Sequence, residues 1–573
     1  MATAPDRIAV AGSDSALSFA QLDVRVHHLA AALQSRRIGR GSLVAVRMRR
    51  SADVLVAFLA TWRAGAALLP VDPSYPIERQ RLMVEDTDSD LLITDETDQT
   101  WCGNRPALMI GTVGTGGSLR PVPRSPMDPA YVMYTSGSTG RPKGVQVSRG
   151  GVAHLIRALE LAGLYPNQPR RVVCNASVSF DAAVQQWARV CRGDTVIMVD
   201  ADLRREPRRL IEWLRAVGAT DLDVTPAHLA KLAGQLLTGP ADGSPLRLFV
   251  GGEAIHATLW SRLKAATDRG VLEAVNVYGP TECTVDATAT RIDGDVPQIG
   301  QPLPGVRAYV LDDVLLPVPA EVEGELYLGG NGVAHGYLNR PSLTADRFVP
   351  EPGRCAGARM YRTGDRARWH VDGALEYLGR TDRQVKLQGH RVELGEIEAV
   401  VSTHPAVAEA VATIRDVPNI GPQLVVYYRP AEAAALPAAV LREHSLGRLP
   451  GAILPADFVA VESFPTTPAG KLDVAALPDP GSLPSGATAD TLPSTPIELL
   501  IADVWAEVLG RDTILATDHF FVLGGHSIVA LQVVATVRRQ LGVSLSTHEV
   551  YRHPRLRDLA TRIEQLCDPG TDG

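Results

Sequence analysis

Over roughly the first 380 residues, short β-branched runs alternate with helical patterns, and this alternation restricts the chain to few architectures. The runs include LVAVRM (43–48), LLITD (91–95), TVIMVD (195–200) and LRLFVGG (246–252). Strands separated by helix-length stretches return parallel to one another, so the pattern predicts α/β layers built on largely parallel sheets. Around 303–330 the text changes to short strands with turns (VRAYVLD, GELYLGG), which predicts a small β subdomain. Residues 383–475 mix strands (AEAVATI, QLVVYYR, DFVAVESF) with a helix (GEIEAVVSTH) and predict a separate α+β lobe. The stretch 476–496, ALPDPGSLPSGATADTLPSTP, is a linker rich in Pro, Ser, Ala, Thr and Gly. After it, Ile497, Leu500, Ile501, Val504, Trp505, Val508 and Leu509 follow i, i+3, i+4, i+7 spacing. Further helical patterns at 527–541 and 554–567 complete a four-helix bundle. The predicted division is 1–381, 382–475, the linker 476–496, and 497–568.

Composition removes several classes. At 573 residues the chain is too long for one core. With 45% apolar and 21% charged residues and a net charge of -7, it is neither disordered nor suited to broad nucleic-acid binding. No apolar run is long enough for a bilayer-spanning helix, and the N-terminus lacks the basic-then-apolar pattern of a secretory signal. The 6 cysteines are scattered with no CxxC pair, so neither a disulfide framework nor a zinc site is predicted. A reducing, cytoplasmic setting fits.

Of 57 basic residues only five are lysine: Lys143, Lys231, Lys264, Lys386 and Lys471. Arginine presents a broad planar fork and lysine a compact charge on a slender stem, so a lysine kept in such a chain marks chemistry that a fork does not fit. Lys231 and Lys264 sit in amphipathic helical patterns. Lys143 closes YTSGSTGRPKG (134–144), where glycines, hydroxyls and a lysine can together cradle phosphate oxygens. It is not a Walker A loop, because no Ser or Thr follows Lys143 to reach magnesium. By composition alone the same stretch also reads as a flexible surface loop.

YTSGSTGRPKG resembles the signature of the adenylate-forming enzymes, which include acyl-CoA synthetases, luciferases and the adenylation domains of nonribosomal peptide synthetases. The resemblance extends, in order, through WRAGAALLPVDP (62–73), SFDAAVQQW (179–187), NVYGPTE (276–282), GELYLGGNGVAHGYLNRP (324–341), YRTGD (361–365), GRTDRQVKLQGHRVELGEIE (379–398) and PAGKLD (468–473). It implies the fold of that family and a two-step reaction. A carboxylate attacks the α-phosphorus of ATP to give an acyl-adenylate and pyrophosphate, and a thiol then displaces AMP. Such catalysis is mostly positioning and charge neutralisation.

Carried over residue by residue, the resemblance places Thr135, Ser136, Gly137, Ser138, Thr139 and Lys143 around the β,γ-phosphates. Glu282 is the expected magnesium carboxylate and Thr281 an α-phosphate contact. Tyr278 is expected to stack on adenine, with Asn276, Gly279 and the Gly252-Glu253-Ala254 backbone nearby. Asp365 is expected to grip the ribose, with Arg380 in the same nucleotide site. Lys471 matches the catalytic lysine bridging the substrate carboxylate and the α-phosphate. Asp382 matches the hinge about which the smaller lobe swings, bringing Lys471 in for one step and withdrawing it for the next. Gln388 stands where the family usually has arginine.

DHFFVLGGHSI (518–528) resembles the attachment motif of peptidyl carrier domains, with Ser527 as the expected site of 4'-phosphopantetheine. On its own, Ser527 would read as a helix N-cap. The carrier separates this chain from luciferases and CoA ligases, as does Asp181, which matches the aspartate gripping a substrate's α-ammonium. The resemblance therefore implies an adenylation–carrier didomain that acts as a freestanding or initiating loader. A phosphopantetheinyl transferase, downstream condensation or tailoring enzymes and an MbtH-like activator are the implied partners. The pocket positions are Asp181, Ala182, Gln185, Asp223, Phe249, Gly251, Val277, Val285 and Asp286. Gln185 can donate from its amide and Asp223 can accept two hydrogen bonds, a complement to a side-chain carboxamide. The set resembles the glutamine-selecting pattern; its glutamate counterpart has lysine at the position of Gln185. L-Glutamine is the expected substrate, with glutamate or a β-substituted glutamine next, then a cationic side chain. A fatty or aryl acid ligase of the same superfamily is the remaining alternative.

Overall fold

The computed structural model describes residues 4–567 except 13–14, 98–99, 138–139, 205, 239–244, 355–356, 388, 418–420, 432–435, 437, 466–471, 480–491, 510–513, 519, 521–522, 524–526 and 544. It divides into two compact units, one of residues 1–136 and 142–391, the other of residues 137–141 and 392–573.

The first unit is layered α/β structure, as the alternation predicts. Six strands of its larger sheet run parallel, in the order Leu272–Tyr278, Leu246–Val250, Asp221–Val224, Arg171–Cys174, Thr195–Met198 and Ile8–Ala11. Antiparallel strands Thr288–Arg291 and Gln301–Pro302 extend one edge, and Ala16–Ser18 closes the other. A second sheet carries parallel strands in the order Ala107–Met109, Leu91–Thr94, Leu43–Arg47, Ala67–Val71 and Pro129–Thr135, the last paired antiparallel with Lys143–Ser148. Strands such as Leu43–Arg47 are buried at every residue, which is why they read as continuous apolar runs and not as alternating ones. The expected β subdomain is a five-stranded antiparallel sheet that includes Val306–Leu311, Glu323–Gly330, Arg359–Trp369 and Leu375–Arg380.

Local chemistry sets the element ends. Ser18 and Gln21 form a reciprocal capping box at the start of the helix Phe19–Ser35. Thr225 caps the helix Pro226–Leu236, whose first residue is proline, suited to a position that needs no N–H donor.

In the second unit, strands Val407–Val417, Gly421–Pro430 and Asp457–Ala460 form a sheet accompanied by helices Leu394–Ser402 and Ala438–Leu446. Helices Pro496–Leu509, Ser527–Leu541, Thr547–Arg552 and Leu556–Cys567 form the C-terminal bundle. Its core centres on Trp505 and Phe520, whose rings lie 5.0 Å apart, joined by Val533, Val537, Leu559 and Ile563. Among the described residues no helix is long and apolar enough to cross a membrane, and the described cysteines are free.

Candidate functional site

Parallel strands end together on one side of a sheet, and open α/β folds bind ligands there. In the first unit Asp223, the stretch from Phe249 to Ala254, and the run from Asn276 to Gly279 all lie at or just beyond the carboxyl ends of adjacent parallel strands. Three adjoining cavities open among them. One of about 70 Å³ is lined by Gly252, Glu253, Ala254, Asn276, Tyr278 and Lys386. A second, of about 50 Å³, is bounded by Asp181, Thr281, Asp365, Arg380, Lys386 and Arg391. The third, of about 110 Å³, contains the whole predicted substrate set: Asp181, Ala182, Gln185, Asp223, Phe249, Gly251, Val277, Val285 and Asp286.

At the nucleotide end, the hairpin Pro129–Thr135/Lys143–Ser148 brings Thr135 opposite Lys143. Lys143 is buried, with its ammonium 4.0 Å from Glu282 and 4.7 Å from the centre of the Tyr337 ring. Glu282 is fully buried. Arg391 Nη1 donates to its Oε2 at 2.7 Å, and the Tyr337 hydroxyl donates to Oε1 at 2.7 Å. Burial alone would raise the Glu282 pKa, but Arg391 and Lys143 outweigh it and hold the carboxyl down to about 2. Tyr278 donates to Asp365, which pairs with Arg380, and Arg380 in turn pairs with Asp382 at 2.7 Å. Arg380 is held above its usual range: burial opposes the charge, but Asp382 and Asp365 prevail.

The amino-acid end is different. Asp181 stands at the start of the helix Ala182–Ala188, and burial lifts its carboxyl to about 6, with nearby Glu282 adding to the effect. Burial lifts Asp223 to about 7, against the pull of Arg189 and a hydrogen bond with Gln186. Asp286 is raised well above the carboxylate range by burial and then by Asp223 and Asp181, and its Oδ2 has no hydrogen-bond partner among the described residues. Asp286 owes its position to strained backbone. Thr284 and Val285 adopt φ of 60° and 71°, unusual for β-branched residues. Beside this bend, a Cβ on Gly279 would lie 2.1 Å from the Val285 carbonyl oxygen, so only glycine fits there.

The sequence reading did not place several residues in the site. His228 and His390 line the largest of these three cavities and are held neutral: burial first, then neighbouring cations, lowers them to about 3 and about 4. His390 and Arg391 belong to the hairpin Gln384–Leu387/His390–Glu393, which follows Asp382. On the same hairpin the Lys386 ammonium lies 5.4 Å from the centre of the Tyr278 ring, and the Gly389 N–H donates to Glu253 at 2.5 Å. Lys386 was already conspicuous as one of five lysines, and that rarity was the available signal. Ser138, Thr139, Gln388 and Lys471 lie outside the described residues, and so does the side chain of Ser527.

Residues 1–338 match the family model for AMP-binding enzymes. The chain belongs to that family. Residues 396–471 match the C-terminal domain of AMP-binding enzymes, and residues 500–563 match the phosphopantetheine attachment site. As a family member with an adenylation–carrier architecture, the chain is an ATP-dependent adenylating ligase whose cofactor is phosphopantetheine. Phosphinothricin tripeptide synthetase PhsB of Streptomyces viridochromogenes is 40% identical over 582 residues, covering 98% of this chain and 48% of that protein. Tyrocidine synthase 2 of Brevibacillus parabrevis is 37% identical, covering 98% of this chain and 15% of that protein. The chain thus spans about half or less of the length of these two relatives. Among solved structures, holo-PA1221, a nonribosomal peptide synthetase protein with adenylation and carrier domains, superposes with a TM-score of 0.77 at 26% identity. That match covers 99% of this chain and 96% of that one. The four-domain synthetase AB3403, bound to AMP and glycine, gives a TM-score of 0.60 at 30% identity, covering 98% of this chain and 42% of that one.

Proposed function

We propose that this adenylating ligase activates L-glutamine and loads it as a thioester onto its own carrier bundle, for nonribosomal peptide or related natural-product synthesis. The observation that carries the substrate is the pairing of Gln185 and Asp223 in the same cavity as Asp181. Asp181 accepts the α-ammonium. Asp223 accepts from the carboxamide N–H groups, and Gln185 donates to the carboxamide oxygen. A glutamate side chain would bring a third carboxyl group beside Asp223 and Asp286, in a cavity whose lining includes Arg204, and like charges in a buried site repel. A β-substituted glutamine keeps the same polar end.

Glu282 suits magnesium, an ion that takes one or two carboxylates together with substrate phosphates and does not need an all-protein cage. Glu282 would hold magnesium, whose charge would help neutralise the substrate phosphates. Lys143 and the hydroxyls of Thr135 and Ser136 hold the same phosphates. Tyr278, Asn276 and the Gly252–Ala254 backbone take adenine, while Asp365 takes the ribose. Lys471 stabilises negative charge as the substrate carboxylate approaches the α-phosphorus. Asp382 is the hinge between the two half-reactions. The phosphopantetheine on Ser527, installed by a phosphopantetheinyl transferase, supplies the attacking thiol; an MbtH-like activator and downstream condensation or tailoring enzymes complete the set of partners.

The test is amino-acid-dependent ATP–pyrophosphate exchange with the purified chain and each of the twenty amino acids, with and without an MbtH-like protein. Preference for glutamine over glutamate supports the reading. Preference for another amino acid refutes the pocket assignment and leaves the enzyme class standing.

A further inference from the structure

Behind the amino-acid cavity lies a chain of buried ion pairs that no motif in the sequence predicts. The helix Ala182–Ala188 runs into a short turn, Arg189–Arg192, and the network starts there. Arg189 Nε donates to Asp194 at 2.8 Å, and its Nη1 lies 3.3 Å from Asp221. Arg192 donates to Asp194 at 2.8 Å and to Glu160 at 3.1 Å, while Arg170 Nε donates to Asp221 at 2.7 Å. Three guanidiniums thus meet two fully buried carboxylates, Asp194 and Asp221. The third carboxylate, Glu160, stands at the outer end, 25% exposed and shared with the exposed Arg157. The interior of the network is one positive charge in excess.

That excess borders the substrate cavity in two ways. Asp221 and Asp223 are two residues apart on one strand, so their side chains leave the same face. Burial opposes the charge of Asp221, but Arg189 and Arg170 hold it below its usual range. Asp223 feels the pull of the same Arg189, and burial nonetheless lifts it to about 7. The second link is aromatic. The Arg189 guanidinium lies 4.1 Å from the centre of the Tyr165 ring, and that ring meets Phe249 edge-on at 5.6 Å. Phe249 lines the cavity and pairs in register with Asp223. Arg189 Nη2 and the Tyr165 hydroxyl are buried without a hydrogen-bond partner among the described residues. The contacts of Arg189 therefore leave its charge incompletely satisfied.

We propose that Arg189 is a positioning residue for substrate selection: its charge, fixed behind the Phe249 wall by Asp194, Asp221 and Tyr165, supplies the positive field in which Asp223 accepts hydrogen bonds from the substrate side chain. Without that field the Asp223 carboxyl keeps its proton at neutral pH. A protonated carboxyl donates a hydrogen bond, so it meets a substrate carboxylate as readily as a carboxamide, and the preference for glutamine over glutamate narrows. The other groups around Asp223 are Asp221, Asp286, Tyr165, Cys174 and the Gln186 amide, with Asp181, Arg204, His228 and His390 on the cavity lining. This rests on the assignment of Asp223 to the substrate side chain given above.

Two substitutions of opposite sign test it. Arg189→Met removes the cation while Asp194 and Asp221 each keep a second arginine; Asp221→Asn removes an anion and leaves Arg189. The Asp223 titration is read without substrate, as the pH-dependent part of the difference in unfolding free energy between each protein and its Asp223→Asn counterpart. Its midpoint should rise by about one pH unit in Arg189→Met and fall by about the same in Asp221→Asn, with Arg189→Lys near the unmodified value. In pyrophosphate exchange at pH 7, the glutamine-to-glutamate ratio of kcat/KM should drop about tenfold in Arg189→Met, because ionised Asp223 falls from about half to about a tenth while the protonated form nearly doubles. Raising the pH by about one unit should restore the ratio, and Asp221→Asn should not lower it. Midpoints that move the same way in both variants, or not at all, overturn the proposal, as does a ratio that stays fixed while the midpoint moves. If Arg189→Met does not fold, Asp221→Asn decides by the fall of its midpoint or its absence. An Asp223→Asn protein with an unchanged ratio would instead refute the assignment of Asp223 to the substrate side chain, and with it the role of Arg189 in selection.

Discussion

Replacing Asp223 by asparagine should weaken substrate binding while making the substrate-free protein more stable. In the folded chain burial pushes the Asp223 carboxyl up to about 7 from an ordinary 3.8. Between those values the folded state holds a proton that the unfolded state releases, so Asp223 lowers stability as pH rises from about 4 to about 7. Roughly three pH units at about 1.4 kcal/mol each give a ceiling of about 4 kcal/mol at pH 8. The asparagine loses a charged hydrogen bond from Gln186, which reduces the gain to about 1–3 kcal/mol. The gain should grow by up to about 3 kcal/mol between pH 5 and pH 8, because only the part of the titration above pH 5 contributes. Denaturant unfolding of substrate-free protein and variant across that range measures it, and glutamine-dependent exchange measures the loss of recognition, about 10–150-fold for one charged hydrogen bond. A variant less stable at pH 8, or a gain independent of pH, would refute the assignment of Asp223 as a carboxylate held without adequate partners.

Gln185→Lys should shift preference toward glutamate by about 1.5–3 kcal/mol, the worth of a charged hydrogen bond, read as the ratio of exchange rates for the two amino acids. Lys471→Ala should abolish adenylation; Ser527→Ala should leave pyrophosphate exchange intact and remove loading of radiolabelled substrate, and equal loss of both in the serine variant would break the division of labour. Asp181 titrates near 6 in the substrate-free site, so affinity for the amino acid should fall as pH drops through that value, by about tenfold per unit at the limit, in equilibrium binding. Glu282, held near 2, does not contribute to that fall.

The layered fold was legible because strand and helix patterns differ in period. The pocket was legible as a set because its members lie in motifs at the ends of adjacent strands. Position in a motif does not reveal charge balance. Nothing in SFDAAV (179–184) or DVTPAHL (223–229) indicates that Asp181 and Asp223 are lifted to about 6 and about 7, since that follows from burial with other carboxylates. Arg391 was hidden for a related reason. Its partners Glu282 and Ser136 are 109 and 255 positions away, so the chain's folding, and not its local text, brings them together.

The cleft divides by how its carboxylates are neutralised. At the nucleotide end Glu282 and Asp365 have protein cations in contact: Lys143 and Arg391 for Glu282, Arg380 for Asp365. At the amino-acid end Asp181, Asp223 and Asp286 lie buried together, and all three are displaced toward the neutral form. On the proposed reading the two ends recognise ligands by different means. The amino-acid end is unfavourable when empty, so a substrate that brings an ammonium and amide N–H groups relieves a penalty already present, and one lacking those donors leaves it in place; sites built this way discriminate strongly against analogues that omit a donor. The nucleotide end, in contrast, already has cations in contact with Glu282 and Asp365. Selectivity thus belongs to the end whose carboxylates are displaced toward the neutral form despite the pull of Arg189 on Asp223.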